Sequence, residues 1–455
     1  MKLVKPIFFI ACVWFVFLSC ATRADVYEGI DVAVAHADYN ASLVSLETGQ
    51  AKKKPIYPKK NQIMLYLDKG VLEHYAGKYD ASARDLEEAE RLIQEAYTKS
   101  ISAEISSYIV NDNTKDYSGE DYEDMYVNVF SALNYYHQGD AEGAGVEIRK
   151  LTQKLDFLAQ KYDAVTAEME NYGGDKVSGM KIPEGKEVNF SNSALARYLS
   201  AIFYRGEGRF DDARIDFAEI PRAYGAAPAI YTTPLPRDLV VTGEPGYETN
   251  AELQIPREKA RLNIIGFAGL APVKREETVH VFFPFMYVPD GEITLPVLAS
   301  RPSAVTGIEV VINGKETVRL ELLENMGAVM AETFNAKYNV ILAKTFIRTT
   351  IKYLAVEIAA QATAHQTGGD EGGRIAGFLA GRLARLGANV TESADIRCSR
   401  YFPGRAYVGG ITLDPGVYTV TVNYRLSNRS VESITREGVR VLAGKTNLVE
   451  AVSLR

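Results

Sequence analysis

Gly77-Lys78-Tyr79-Asp80-Ala81-Ser82 decides how this chain folds, because the phrase returns as Gly139-Asp140-Ala141-Glu142-Gly143-Ala144 and again as Gly208-Arg209-Phe210-Asp211-Asp212-Ala213. A weaker copy, Ala37-Asp38-Tyr39-Asn40-Ala41-Ser42, stands earlier. Each strong copy has a small residue seven positions before its glycine (Gly70, Ala132, Ala201) and a large apolar residue four positions after its closing small residue (Leu86, Ile148, Phe217). The spacing has a mechanical reason. The glycine takes the left-handed conformation that ends one helix. Small residues, among them Gly70, Ser82, Ala144 and Ala213, let two helices approach, and the later apolar residue fills the space between them. The phrase therefore predicts paired helices over 21–225, with the strong copies 62 and 69 residues apart and longer helices or inserted segments near 98–120 and 152–190.

Two turn-rich stretches interrupt this pattern. Residues 171–190 hold Gly173, Gly174, Gly179, Pro183 and Gly185, and six prolines fall between Pro221 and Pro256. The second break marks a domain boundary, with 226–255 read as a Pro-rich linker.

Beyond 256 the pattern turns to strands. Val279–Pro284 and Ile308–Ile312 are β-branched or aromatic runs, and Asn313-Gly314 followed by Thr317–Leu320 is a strong hairpin signal. Val417–Val422, Gly438–Val441 and Leu448–Val452 complete the expected small antiparallel sheet. Between the strand sets, helices are expected near 326–364 and 373–387, a hairpin inserted at 326–387. Its first helix carries Lys344, Arg348 and Lys352 at four-residue spacing, a cationic stripe that is either a solvated face or a contact for lipid headgroups or an anionic glycan. The fold class is α+β: a helical repeat array, then an antiparallel β-rich module over 256–455.

Composition bounds the function. The chain has 455 residues, 47 % apolar and 24 % charged, which is ordinary for two or three globular domains. A net charge of −7 argues against nucleic acid as partner, since phosphate binding needs a clustered basic surface. Three cysteines are too few for a disulfide framework.

The first twenty residues read MKLVKPIFFIACVWFVFLSC: two lysines, an apolar run from Pro6 to Leu18, then Ser19 before Cys20. That run is too short for a spanning helix of about 20 residues and suits a signal-peptide core. Phe17-Leu18-Ser19-Cys20 resembles a bacterial lipobox, which implies a signal peptide over 1–20, acylation of Cys20 and, with Ala21 following, sorting to the outer membrane of a diderm cell. Cleavage after Ala24, at the small-x-small site Thr22-Arg23-Ala24, and retention as an uncleaved anchor stay open. Acylation would leave Cys398 as the one free thiol.

The helix-pair phrase resembles the tetratricopeptide repeat, although its copies lie farther apart than the roughly 34 residues of that repeat. In context, the segments Tyr122–Asp140, Gly269–Lys274, Lys344–Arg348 and Ala394–Arg397, the last followed by Phe402-Pro403, resemble a family of bacterial lipoproteins with tetratricopeptide repeats. The resemblance implies an envelope lipoprotein of helical repeats with a β-rich C-terminal part, and it supplies no activity.

Motifs for catalysis do not stand out. There is no His-Glu-x-x-His, Gly-x-Ser-x-Gly, Walker loop or Cys-x-x-Cys pair. The five histidines are scattered, and His74 and His137, just before repeat turns, suit helix ends better than metal ligation. Gly368-Gly369-Asp370-Glu371 reads as a turn. Asp395 and Arg397 lie on one side of the chain, as an ion pair or a ligand-gripping pair. The expectation is a non-enzymatic, periplasm-facing outer-membrane lipoprotein, without cofactor or metal, that holds protein partners in envelope assembly, secretion or peptidoglycan remodelling. The alternative is a small-ligand or glycan-binding module using Lys344, Arg348, Lys352, Asp395 and Arg397. A repeat array of this kind offers a concave face to a partner segment, unless the chain's own downstream part fills it.

Overall fold

A computed structural model describes residues 26–102, 115–157, 192–243, 249–283, 288–335 and 393–455, with Phe190, Tyr338, Ile341, Leu342 and Thr345. The N-terminal half is a series of helical hairpins. Helix α1 (Glu28–Ala35) turns into α2 (Tyr39–Gln50), α3 (Gln62–Tyr75) into α4 (Tyr79–Ser102), α5 (Asp121–His137) into α6 (141–157), and α7 (Ala194–Gly206) into α8 (Phe210–Ala226).

All four turns are built alike. Ala37, Gly77, Gly139 and Gly208 have φ of 57, 74, 79 and 80°. Their amides donate to Val34, His74, Tyr136 and Arg205, and the next amides (Asp38, Lys78, Asp140 and Arg209) reach back to Ala33, Glu73, Tyr135 and Tyr204. This double bond satisfies the last carbonyls of a helix that ends in a left-handed residue. Nothing lies within 4 Å of a Cβ built on Gly77, Gly139 or Gly208, so conformation rather than space selects glycine there. Gly70 is the opposite case. A Cβ on it would sit 2.7 Å from Leu86 Cδ2, and Ser82 Oγ donates to its carbonyl at 2.7 Å. Leu86, Ile148 and Phe217 all enter one buried core together with Ala132, Ala144 and Ala201, and Ala213 is buried as well.

Pro221 does not open the break between the halves. It lies inside α8, where the buried flank of Phe217, Ile220 and Ala223 outweighs one missing rung of helix hydrogen bonding. The stretch 226–255 expected as a linker is packed in its described part: Leu239 and Glu252 are each 1 % exposed.

The second half is built on strands β1 (Ala260–Leu270), β2 (Val273–Phe283), β3 (Val288–Ala299), β4 (Val305–Ile312), β5 (Glu316–Glu324), β6 (Pro403–Leu413), β7 (Gly416–Leu426), β8 (Val431–Val441) and β9 (Asn447–Ser453). Seven of them form one sheet in the order β8-β7-β4-β5-β6-β1-β9, and β2 and β3 form a separate ribbon. Asn313 and Gly314, with φ of 49 and 69°, make the left-handed pair of a tight β4–β5 turn.

The large sheet is not antiparallel throughout, as had been expected. β9 runs parallel to β1, pairing Leu262 with Asn447 and Ala268 with Ser453. The reason is that the sheet curls until its two ends approach: Ser453 Oγ donates to Glu432 Oε2 of β8 at 2.8 Å. The turn at 442–446 reverses the chain as a hairpin would, yet delivers β9 to the free edge of β1, whose direction it then shares.

Alternation along the strands sorts the two faces. Ala260, Leu262 and Ile264 of β1, with Val449 and Ala451 of β9, enter the core inside the curl. Ile265, Phe267 and Leu448 point the other way, into the core shared with the helices. That shared core runs from Ile30 to Leu454, so the helical and β-rich halves close on each other. Residues 326–335 are helical and bring Met326, Val329 and Met330 into it. The rest of the expected 326–387 hairpin lies almost wholly outside the described residues.

Candidate functional site

One face of the helical array, where a partner segment was expected, is occupied by the chain itself. Residues 395–402 thread between α1, α3 and α5 and bond to each. Asp68 on α3 accepts from Ser399 Oγ at 2.6 Å, from the Arg400 amide at 2.7 Å and from Tyr57 Oη at 2.6 Å. Burial pushes its carboxyl above the usual range despite these donors. Glu123 on α5 accepts the Ser399 amide at 2.5 Å, Tyr117 Oη at 2.7 Å and Tyr122 Oη at 3.1 Å. Burial and then the nearby Glu120 charge raise it to about 7. Asp31 on α1 pairs with Arg400 at 2.8 Å and accepts Tyr401 Oη at 2.9 Å. Tyr401 and Phe402 are buried, and Phe402 packs against Phe130 with ring centroids 5.8 Å apart.

Asp395 and Arg397, two of the residues read as ligand contacts, meet each other at the start of this strap. Arg397 Nη2 lies 2.7 Å from Asp395 Oδ2 and its Nε 2.8 Å from Oδ1. The third guanidinium nitrogen, Nη1, donates to the Lys115 carbonyl at 2.8 Å, and the group lies over the Tyr117 ring. Burial alone would raise the Asp395 carboxyl; the hydrogen bonds and charge of Arg397 outweigh it and hold the group low. Cys398 is buried beside them, its thiol pushed up to about 11 by burial, which leaves little thiolate at neutral pH. Lys344, Arg348, Lys352 and Cys20 lie outside the described residues.

A second seam closes on β9. His74, 3 % exposed, has Nδ1 at 2.7 Å from Asn134 Oδ1 and Nε2 at 2.7 Å from Glu450 Oε1. The bonding order fixes one of its protons. The Gly70 carbonyl can only accept, so Ser82 donates to it and receives from Asn134 Nδ2 at 2.8 Å. Asn134 then shows His74 its oxygen, so Nδ1 carries a proton, while Nε2 faces the Glu450 carboxylate. His137 Nε2 reaches the other Glu450 oxygen at 3.0 Å and stacks on Tyr79 with centroids 4.4 Å apart. Burial would lower the His74 pKa; the charge and hydrogen bond of Glu450 outweigh it and raise it. Burial would raise Glu450, and the two histidines hold it low instead.

Two further carboxylates complete the junction. Glu324, at the end of β5, accepts from Tyr126 Oη at 2.7 Å, Tyr231 Oη at 2.8 Å and the α7 N-cap Ser193 at 2.8 Å. Glu252 bridges Arg205 of α7 and Arg261 of β1. Next to this pair a cleft of about 290 Å³ opens between Tyr198, Arg237, Asp238, Glu321 and Gly409.

Chemically this is recognition within one chain: carboxylates on the helices hold serine, arginine and tyrosine groups of residues 399–401, and a carboxylate on β9 holds two histidines of the helices. Among the described residues no group of three or more His, Cys, Asp or Glu side chains is placed to hold a metal ion. No described helix is long and apolar enough to cross a membrane. No family model, curated protein or solved structure matches this chain.

Asp68, Glu324 and Glu450 did not stand out in the sequence as functional; each is a single carboxylate beside apolar residues, as in Val449-Glu450-Ala451, whereas Glu123 belongs to an acidic, tyrosine-rich run with Glu120, Asp121 and Asp124. His74 and His137 do stand at helix ends, His74 buried and His137 half-buried against Glu450 of β9.

Proposed function

We propose that this chain is a non-enzymatic scaffold of the cell envelope, lipid-anchored at Cys20 and facing the periplasm, whose helix pairs are tetratricopeptide-like repeats closed by their own C-terminal module. The observation that carries this reading is the occupied groove. The carboxylates that would read a partner's extended segment are already satisfied by residues 395–402. A partner therefore meets the outer surface of a single closed body, and not an open concave face. The alternative, a small-ligand or glycan-binding module, loses support because Asp395 and Arg397 are engaged with each other.

The test is cross-linking in intact cells followed by mass spectrometry, comparing the native protein with Cys20→Ala, together with metabolic labelling by an acyl-chain analogue. The expected result is label on the native protein only, and one dominant envelope protein whose cross-links map to outer-surface residues and vanish in the variant. Glycan co-purifying in place of any protein would favour the ligand-binding reading. An unlabelled, freely extractable native protein would overturn the anchor.

A further inference from the structure

The loop between α2 and α3 reads Lys52-Lys53-Lys54-Pro55-Ile56-Tyr57-Pro58-Lys59-Lys60, five lysines in nine residues of a chain whose net charge is −7. Lys52, Lys53, Lys54 and Lys59 are exposed, and among the described residues no acidic side chain pairs with any of them. The loop is nonetheless held firmly. Tyr57 is 1 % exposed and donates to Asp68, and Gln50 clamps its backbone with bonds of 2.9 and 3.1 Å. The Lys60 carbonyl accepts the Tyr117 amide at 2.8 Å. A fixed loop keeps its like charges together, against their mutual repulsion, and such an arrangement calls for an anionic counterpart.

Its position supplies the counterpart. Tyr27 packs edge-on against Tyr57 with ring centroids 5.8 Å apart, so the first described residues lie against the middle of the basic loop. Cys20 precedes Tyr27 by seven residues, at most about 25 Å of fully extended chain. An acyl group there would keep the lysines close to the bilayer, where each basic residue near an anionic surface adds to the attraction.

We infer that the 52–60 loop is a membrane-facing surface that lays the folded body against an anionic lipid bilayer. The inference rests on the lipid-anchor reading for its reach, and for its chemistry on exposed Lys52, Lys53, Lys54 and Lys59, which have no acidic partner among the described residues and stand on a firmly held loop. The free helical and sheet surfaces would then be turned away from the lipid, towards partners.

The experiment uses the full chain with vesicles of phosphatidylcholine alone and of phosphatidylcholine mixed with phosphatidylglycerol. An amine-reactive reagent and mass spectrometry report the reactivity of each lysine. The expected result is a fall of about fivefold at Lys52, Lys53, Lys54 and Lys59 in the anionic vesicles, the factor that one lysine's attraction is worth. Reactivity should return in about 1 M salt, where screening acts within about 3 Å, and Lys315 and Lys445 should not change. Equal reactivity in both vesicles, or the same protection by soluble glycerol phosphate, would overturn the proposal. The same digest shows whether Cys20 is acylated, so failure of the anchor is read separately from failure of the loop. A Lys52→Gln/Lys53→Gln/Lys54→Gln/Lys59→Gln variant should fold normally and lose the difference between vesicles at its remaining lysine, Lys60; a preserved difference there would count against the loop.

Discussion

The groove and the lysine loop both concentrate charge, and they treat it in opposite ways. In the groove, Asp68, Glu123 and Asp31 each accept from the strap, and burial makes the bonds to Asp68 and Glu123 consequential. On the loop, four ammonium groups are exposed, with no acidic partner among the described residues. The first arrangement contributes to holding the fold together; the second contributes nothing to it and is available for something outside the chain.

Substitutions should separate the two. The largest expected effect is from Asp68→Ala, which strips the acceptor from Ser399, the Arg400 amide and Tyr57. At about 1–3 kcal/mol for each of the three donors left unsatisfied, the loss is on the order of 3–9 kcal/mol, measurable by urea unfolding. Glu450→Gln comes next, at about 3 kcal/mol, because it leaves a buried imidazolium without its counter-charge.

The pH dependence of stability tests the same seam. His74 is raised above 6.5, so its contribution is complete below that pH and is lost as pH rises through the raised value. Glu450 is lowered below 4.5, so its contribution is present above that pH and is lost as pH falls through the lowered value. The β9 seam should therefore be tightest between the two, and the protection of β9 amides, taken relative to the base-catalysed intrinsic exchange rate at each pH, should fall on alkalinisation in the native protein but not in Glu450→Gln.

Gly70→Ala and Gly77→Ala differ in mechanism though not in chemistry. The first drives a methyl group into Leu86 at a cost of about 1–3 kcal/mol; the second meets no atom and costs about 1 kcal/mol in backbone strain. Thermal melts of the two variants, each paired with Leu86→Val, should show relief only for Gly70→Ala. The smallest effect is on the loop, where replacing all four lysines by glutamine should change stability by no more than about 0.5 kcal/mol.

What could be read from the sequence was local. Four hairpin turns follow from a phrase of six residues because a left-handed cap needs only its own helix's carbonyls. The β4–β5 turn was equally legible in Asn313-Gly314. By contrast, β1 was missed because Ala260–Leu270 is buried on both faces and shows no alternation of apolar and polar residues. The parallel placement of β9 depends on the curl of the whole sheet, which no window of sequence contains. The candidate site was the least legible. Asp395 and Arg397 were noticed as a pair, but their neighbours Lys115 and Tyr117 lie far away along the chain. The lysine run at 52–60 is present in the sequence but was not singled out there, because its rigidity and its nearness to Tyr27 appear only in three dimensions.

The bond from His74 to Glu450 spans 376 positions, and the parallel pairing of β1 with β9 likewise waits for residues 447–453. Contacts of such separation form late and slowly. A chain emerging from its N-terminus would display hairpin turns early, yet its groove would stay unfilled until 395–402 arrived and its sheet edge open until β9 did. The interval between those events is when exposed carboxylates and an unpaired β1 edge are most vulnerable to misassociation, so refolding yield should fall with protein concentration more steeply than native stability alone would suggest.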